Sequence, residues 1–477
     1  MSETFIHELP LLANLAVIAE LNVRLEAGRF LYNSMLQECL RRHKLMKESK
    51  EWQRARILTD PKKRMEIFKK IIGQRKFTEY DIHRYLTDFL RHFPFSNRLD
   101  SQCCQKIASR AFAAVKEYSL CKRGRPRYKT INQFSSLEGK SNITGIRFKN
   151  GFVEWKGLKL AVIFDVKDRY GIEAHALTAP VKYVRLVRRK RNGKSFFFAQ
   201  LILDGKPALK HKPLDGVVGI DMGPSMIAIY SEKQACLAPL TTTKAILCRK
   251  LKRKISRSYE KNIKASCRCK KMQEALTMLL RKDAQKRKHE IGALINNILL
   301  LGKEIHLEKL SYKSFQKNYG KSVQKHAPGQ FVDRLKRKAE NAGGRVVEIN
   351  TYRTKLSQTC ICGKVEKKQL SQRAHRCSCG VEAQRDLFSA FLAFHTNNNV
   401  LSRRQAAEAW PSAHLLLEQA LLRYAQTARI KPYDRFERRQ SGSPVKDGST
   451  CIEVLDVVGI HAPGNRKEIQ DMAVRTP

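Results

Sequence analysis

Apolar residues recur every three or four positions from residue 15 to 118, with long charged side chains between them, as in RFLYNSMLQECLRRHKLM. That period lays one apolar stripe along a helix, so the segment is expected to be a helical block. YDIHRYLTDFLRHF and QKIASRAFAAVKEY continue the pattern, and FPFSN around Pro94 marks a break between helices. Tyr32, Tyr80 and Phe89 read mostly as ordinary helix core. At 119 the pattern changes: CKRGRPRYKT is a loop with Gly124, Pro126 and five basic residues. From 143 to 205 apolar and polar positions alternate with strand period. The pairs Asn150-Gly151 and Asn192-Gly193 stand between such runs, the strongest short-range signal for a hairpin. A small sheet or barrel is expected there, its second hairpin presenting Arg188, Arg189, Lys190 and Arg191 outward.

The run VVGIDMGPSMIAIYS from 217 is an apolar strand ending in an acid, a Gly-Pro turn and a second apolar strand. A long basic helical stretch follows. ALINNILLLGKEIHLEKLSY then returns to apolar character and gives a strand ending at Glu308. QFVDRLKRKAENAGGRVVEINTYRT reads as helix, Gly343-Gly344 turn and strand. DLFSAFLAF starts a helix after Arg385-Asp386, and AEAWPSAHLLLEQALLRYAQ offers one or two more. From about 431 the chain turns polar and loop-like, as in RRQSGSPVKDGST, and is expected to be a flexible tail. There is no internal repeat.

Charge narrows the partner. Lys and Arg number 93 against 44 Asp and Glu, a net of +49 over 477 residues. Such an excess repels itself in a compact chain unless a polyanion neutralises it. Residues 244 to 290 alone hold 17 Lys or Arg and four acids. A long nucleic acid is the expected partner, with a ribosomal or membrane-surface protein as the alternatives. The first twenty residues have acids where a signal peptide needs a basic region, and IGALINNILLLG is too short and polar to span a membrane. The 13 cysteines are odd in number and four of them cluster, which fits a reducing cytoplasm.

Three acids stand out by context. Asp221 ends an apolar strand, Glu308 ends another 87 residues on, and Asp386 opens a helix 78 residues after that. Phosphodiester hydrolysis needs a nucleophilic water and a stabilised leaving oxygen. Two Mg²⁺ ions about 4 Å apart supply both and take carboxylate oxygens as ligands. An RNase H-like fold holds such ions with a central-strand Asp, a second-strand Glu and a helix-borne Asp. Each acid also has a plainer reading: Asp221 could accept turn amides, Glu308 could pair with a lysine, and Asp386 could complement a helix dipole. Between the last two acids lie Cys360-Ile-Cys362-Gly and Cys377-Ser-Cys379-Gly. Four thiolates at about 2.3 Å make a tetrahedral zinc site. His375 could replace one sulfur, and four reduced thiols without metal are the alternative. CRC at 267–269 has no partner pair and reads as incidental. GRP at 124–126 adjoins predicted strands, so a barrel loop on RNA or DNA suits it better than a minor-groove hook.

GIDMGPS, IHLEKL and CSCGVEAQRDLFSA resemble the three RuvC motifs of the TnpB family and of the compact type V CRISPR effectors similar to it. GRPRYK is similar to a recurrent stretch there. The resemblance covers about residues 10 to 400. It implies a multidomain α+β protein with a helical recognition lobe, a β-barrel wedge domain and a split RuvC nuclease of RNase H-like α/β type carrying an inserted zinc ribbon. The corresponding divisions are 1–14 (a wedge strand or lead-in), 15–118 (recognition), 119–212 (wedge), 213–358 (nuclease), 359–380 (ribbon), 381–430 (third motif and C-terminal helices) and 431–477 (tail). It implies an RNA-guided DNA endonuclease with a structured guide RNA and double-stranded target DNA as partners. Asp221, Glu308 and Asp386 would hold two catalytic Mg²⁺, and Cys360, Cys362, Cys377 and Cys379 one structural Zn²⁺. Nucleic acid would meet Arg123, Arg125, Arg127, Lys129, Arg188, Arg189, Lys190, Arg191, Lys252, Arg253, Lys254 and Arg257. An RNA-guided DNA-binding protein with weak or no cleavage is the alternative, and a recombination protein without RNA a third. Two departures stand out. The family commonly has Cys-x-x-Cys-Gly, one residue longer per knuckle. It often has Asp-Arg-Asp-x-Asn-Ala-Ala where this chain has Gln384-Arg385-Asp386-Leu387-Phe388-Ser389-Ala390.

Overall fold

The structure, a computed structural model, describes residues 3–427 apart from 94–96, 192–193, 210–211, 241–244, 261–265 and 370–371. The expected break at Pro94, the Asn192-Gly193 turn and the tail from 431 lie outside the described residues. The chain divides into two compact units, 1–210 and 211–477. Helices and sheets are mixed in both. Among the described residues no helix is long and apolar enough to cross a membrane, and the twelve cysteines are all free.

The first unit opens with β1 (Thr4–Pro10) and then five helices: α1 (Leu15–Glu48), α2 (Lys50–Ile57), α3 (Pro61–Gln74), α4 (Glu79–Arg91) and α5 (Ser101–Ser119). Asn14, Ser49, Asp60, Thr78 and Asp100 each accept a hydrogen bond from a first-turn backbone N–H. A cap of this kind stabilises by about 1 kcal/mol. Tyr32 is buried and Phe89 packs on the same core, but Tyr80 is 71% exposed. The core stripe of α4 runs through Ile82, Leu86 and Phe89, and Tyr80, two residues before Ile82, falls on the opposite side of the helix.

The rest of the unit comprises β2 (Ser136–Glu138), β3 (Arg147–Lys149), β4 (Phe152–Trp155), β5 (Leu158–Ala161), α6 (Ile172–Thr178), β6 (Val181–Arg191) and β7 (Lys194–Asp204). Asn150 and Gly151 both take positive φ, 48° and 78°, and join β3 to β4 as the sequence pair requires. β6 and β7 pair out to Arg191 opposite Lys194. The strand-period reading did not anticipate α6, whose first turn donates to the Asp168 carboxylate from Glu173 and Ala174. Strand order is β1-β7-β6-β2 in one sheet and β3-β4-β5 in another. The barrel expected from sequence is thus seen as two sheets, joined by the Leu11–Val162 bridge. Strands β2 and β3 have only three residues each, too few to continue one ladder through the loop between them. The Trp155 indole N–H donates to Asp100 at 2.7 Å, and Arg24 stacks on Trp155 at 4.5 Å, fastening α1 and α5 to the smaller sheet.

The second unit holds β8 (Val217–Met222), β9 (Met226–Tyr230), β10 (Ala235–Pro239), α7 (Ala245–Glu260), α8 (Cys267–Leu301), β11 (Glu304–Glu308), α9 (Tyr312–His326), α10 (Pro328–Asn341), β12 (Arg345–Ile349) and α11 (Thr351–Thr354). Then come β13 (Ala374–Arg376), β14 (Glu382–Gln384), α12 (Arg385–Phe394), β15 (Thr396–Asn397), β16 (Val400–Leu401) and α13 (Arg403–Thr427). Helix α13 runs unbroken through Pro411 where the sequence allowed two helices. The central sheet has order β10-β9-β8-β11-β12, with β8, β11 and β12 parallel and β9 antiparallel to both neighbours. One face packs Val218, Ile220 and Met222 against Ile291, Ile295 and Ile298 of α8 and Phe331 and Leu335 of α10. The other packs Ala228, Tyr230 and Leu237 against α12 and α13.

Residues 219 and 221 alternate with that apolar set and so face α12. Gly219 is needed there: a Cβ would lie 2.1 Å from the Ala390 carbonyl oxygen and 2.5 Å from the Phe394 nitrogen. Gly219→Ala is therefore expected to destabilise by at least the ~1–3 kcal/mol of an overpacked core. Thermal unfolding of the variant at the wild-type temperature would contradict the close fit.

Candidate active site

Strands β8 and β11 lie side by side and parallel, with Leu307 opposite Ile220, so Asp221 and Glu308 emerge together at the same end of the sheet. Asp386 stands in the first turn of α12, the helix seated on the same face of β8 as Asp221. All three carboxyl groups are half-buried. Burial pushes Asp221 well above the usual carboxylate range, and the charges of Asp386 and then Glu308 push it further. Asp386 and Glu308 are thus near enough for their charges to act on Asp221. Arg385 opposes that rise. Burial pushes Glu308 up to about 7, with a backbone N–H from Leu356 working the other way. Among the described residues Glu308 has no ion pair, against the plain reading that it serves a lysine. Arg373, which sequence reasoning missed, lies 3.7 Å from the Asp386 carboxylate.

Raised carboxyls fix the direction of pH effects. A raised folded-state pKa means protons are held more tightly in the folded chain, so stability from Glu308 is full below its ordinary value and lost as pH rises through about 7. A divalent cation needs the ionised form and offsets that loss. Mg²⁺ is expected to raise the melting temperature more at pH 8 than at pH 6, relative to EDTA. An equal shift at both values would exclude these acids as the binding groups.

The cysteines meet as a quartet. All four sulfurs lie within 4.8 Å of one another, with Cys360 to Cys379 and Cys362 to Cys377 both at 3.6 Å. A tetrahedron with metal–sulfur bonds of about 2.3 Å has edges of about 3.8 Å, so the shortened knuckles accommodate a metal ion. Each knuckle closes the same way. Gly363 donates to the Cys360 carbonyl, Gly380 to that of Cys377, and both glycines take positive φ, 95° and 89°. A backbone N–H from Cys379 draws the Cys377 thiol down to about 6. Burial raises Cys360. His375 stays outside the quartet: its ring packs on Phe388 at 4.2 Å and its Nδ1 bonds Lys368.

Residues 329–392, from α10 through the quartet to α12, match the family model described as Cas12f1-like, TNB domain. That match supports the resemblance to compact type V effectors and TnpB-like proteins. Among solved structures, the chain is similar to one titled "Cryo-EM structure of the Cas12f1-sgRNA-target DNA complex", at 14% identity and TM-score 0.43, over 82% of this chain and 98% of that one. It is also similar to "Cryo-EM structure of CRISPR-Cas12f Ternary Complex", at 15% identity and TM-score 0.28, over 78% and 80%. No curated protein matches.

The matched segment contains the third acid. Strand β13 pairs with β14, and β14 ends at Gln384, whose side chain caps α12 by accepting from the Leu387 N–H at 2.6 Å. Gln384 thus does for the helix what an acid at that position would do. Arg385 donates to the carbonyls of Gln369 and Gln372 at 3.1 and 3.3 Å and so ties the helix start to the segment between the knuckles. Phe388, where the family often has Asn, is buried against Trp410 at 5.3 Å and against His375. That departure belongs to the packing of α12 on α13. His306 of β11, buried, bonds the Ala393 carbonyl at 3.0 Å and holds the other end of α12.

The basic candidates separate. Arg123, Arg125 and Arg127 in the GRPRYK region and Lys252, Arg253, Lys254 and Arg257 on α7 are exposed. Arg188 is a correction: it is buried, with its guanidinium on Asn22 at 2.8 Å and the carbonyls of Phe134, at 3.2 Å, and Ile131. Three protein acceptors and loss of solvent make it a structural cross-link, not a phosphate contact. Arg189 is paired with Glu8 and stacks on Phe198, and Lys190 donates to Asn132 at 2.8 Å. Lys129 lies over the Tyr32 ring at 4.3 Å, and burial draws its ammonium down to about 8. The side chain of Arg191 lies outside the described residues.

Proposed function

We propose that the protein is an RNA-guided DNA endonuclease of RuvC type. What supports this reading is that parallel pairing of β8 with β11 sets Asp221 and Glu308 at one end of the sheet, with Asp386 in the first turn of the helix packed on that face. Three hard oxygen donors from separate elements are the donor set that Mg²⁺ takes. Bound there, Mg²⁺ would polarise the scissile phosphate and stabilise the leaving oxygen. The protein's own part is positional. β8 and β11 present two acids in register, α12 brings the third, and Gly219 lets the helix come close enough. Zn²⁺ in the cysteine quartet would fix the segment that delivers Asp386. The mixed sheet with the first acid on its central strand supports the RNase H-like reading. The +49 charge supports long nucleic-acid partners, which would be a guide RNA and a duplex DNA target. Sequence would then be read by base pairing. The helical block would serve as the recognition lobe and the strands of the first unit as the wedge. The site of action would be a prokaryotic cytosol or nucleoid.

A second reading, RNA-guided binding with weak cleavage, draws on Arg373 beside Asp386, which competes for the carboxylate a metal would use. The test is a plasmid assay. The protein with its co-purifying RNA, once that RNA is sequenced, is given a matching target in Mg²⁺ or in EDTA. Mg²⁺-dependent cutting supports the nuclease, stable binding without cutting supports the second reading, and binding that survives RNase refutes both.

A further inference from the structure

In the first unit a cavity of about 460 Å³ opens between α1, the end of α5 and the GRPRYK loop. Ligand sites commonly fall between ~300 and 1,000 Å³. Four cations line it, Arg41, Lys44, Lys47 and Arg125, against one acid, Glu48. Two tyrosines line it as well, Tyr118 and Tyr128. Arg41 is paired with the buried Glu38, but Lys44 meets only Glu48, at 3.7 Å on the exposed surface. Exposed pairs of that kind contribute little. Lys47 lies over the Tyr118 ring at 5.4 Å, and His43 stacks beside that ring at 5.3 Å. His43 is 3% exposed, and its Nε2 has no hydrogen-bond partner among the described residues.

The loop is built to present its side chains. Pro126 is buried, and Asn33 of α1 grips Lys129 twice, accepting from its N–H at 2.8 Å and donating to its carbonyl at 3.0 Å. Arg29 donates to the same carbonyl at 3.3 Å. Between those anchors Tyr128 is left 55% exposed at the cavity. An exposed tyrosine on a pinned loop is a stacking platform with little ordering entropy left to lose.

We propose that this cavity holds one unstacked nucleotide of a bound single strand. The base stacks on Tyr128, and its phosphate meets Lys44, Lys47 and Arg125. Aromatic rings beside cations are how single strands are gripped without sequence preference. The inference rests on the nucleic-acid reading of the chain and adds a defined nucleotide site to it.

The test uses the full chain freed of RNA and two 12-nucleotide probes, one RNA and one DNA, each with a single 5-iodouracil for photo-crosslinking. Affinity is measured in parallel. Tyr128→Ala is expected to weaken binding about tenfold, and Tyr128→Phe to keep it within about twofold. Lys47→Ala should weaken binding and flatten its salt dependence. The crosslink should map to the peptide carrying Tyr118 or Tyr128, and the arm that crosslinks names the strand. If wild-type protein binds but Tyr128→Ala binds equally, or the crosslink maps elsewhere, the nucleotide site is wrong and the broader reading stands. If wild-type protein binds neither probe, both fail.

Discussion

Asp221→Ala abolishes target cleavage, lowering the rate by roughly a thousandfold or more, and leaves guide RNA binding within about twofold. The size follows from geometry. Asp221 is the acid on the central strand, flanked by Glu308 on the neighbouring strand and by Asp386 on the helix above. Its removal would take away one of the three carboxylates that would hold Mg²⁺. The carboxyl is also held against its own preference, raised by burial and by two like charges. Removing it relieves that repulsion, so the variant should melt at or above the wild-type temperature in EDTA. Lost cleavage with retained or raised stability separates a role in chemistry from a role in folding. Retained cleavage by a folded Asp221→Ala protein would overturn the assignment.

Removing zinc should also have a large effect, by a different route. A structural four-thiolate site contributes on the order of 10 kcal/mol to its local fold. Here Cys360 belongs to the core formed by Leu387, Phe388 and Phe391 of α12. Loss of the metal should therefore melt the knuckles, loosen the Arg385 tether and release Asp386 from its place. Purified protein is expected to carry one zinc per chain by elemental analysis. Cys377→Ser should lose that zinc, lower the melting temperature and reduce cleavage by at least tenfold, whereas Cys267→Ser, at an exposed position outside the quartet, changes none of these. A metal-free wild type with unaltered stability would mean that the knuckles are held by packing.

The three acids could be read in sequence because each sits in a local pattern: an apolar strand ending in Asp, another ending in Glu, and Arg-Asp before an apolar helix. The knuckles were legible for the same reason, two short Cys-x-Cys-Gly repeats. Arg188 was misread because its partner Asn22 is 166 residues away, and strand alternation says which way a side chain leaves the strand, not what covers that face. Tyr80 is the exception among the three aromatics read mostly as helix core, because a helix with a single apolar stripe still exposes the residue two positions off it.

The sequence by itself determined the composition of the site: which carboxylates and thiolates exist, in what order, and on what kind of element. It also determined that so basic a chain needs a polyanion, since charge is additive and independent of fold. Tertiary structure decided what those groups feel. Asp221 and Glu308 are raised because parallel pairing of β8 with β11 sets them side by side and burial removes water. Asp386 joins them because Gly219 lets α12 approach the sheet to a distance no side chain would permit. Proximity between residues far apart in the chain is fixed by packing, and local patterns carry no record of it.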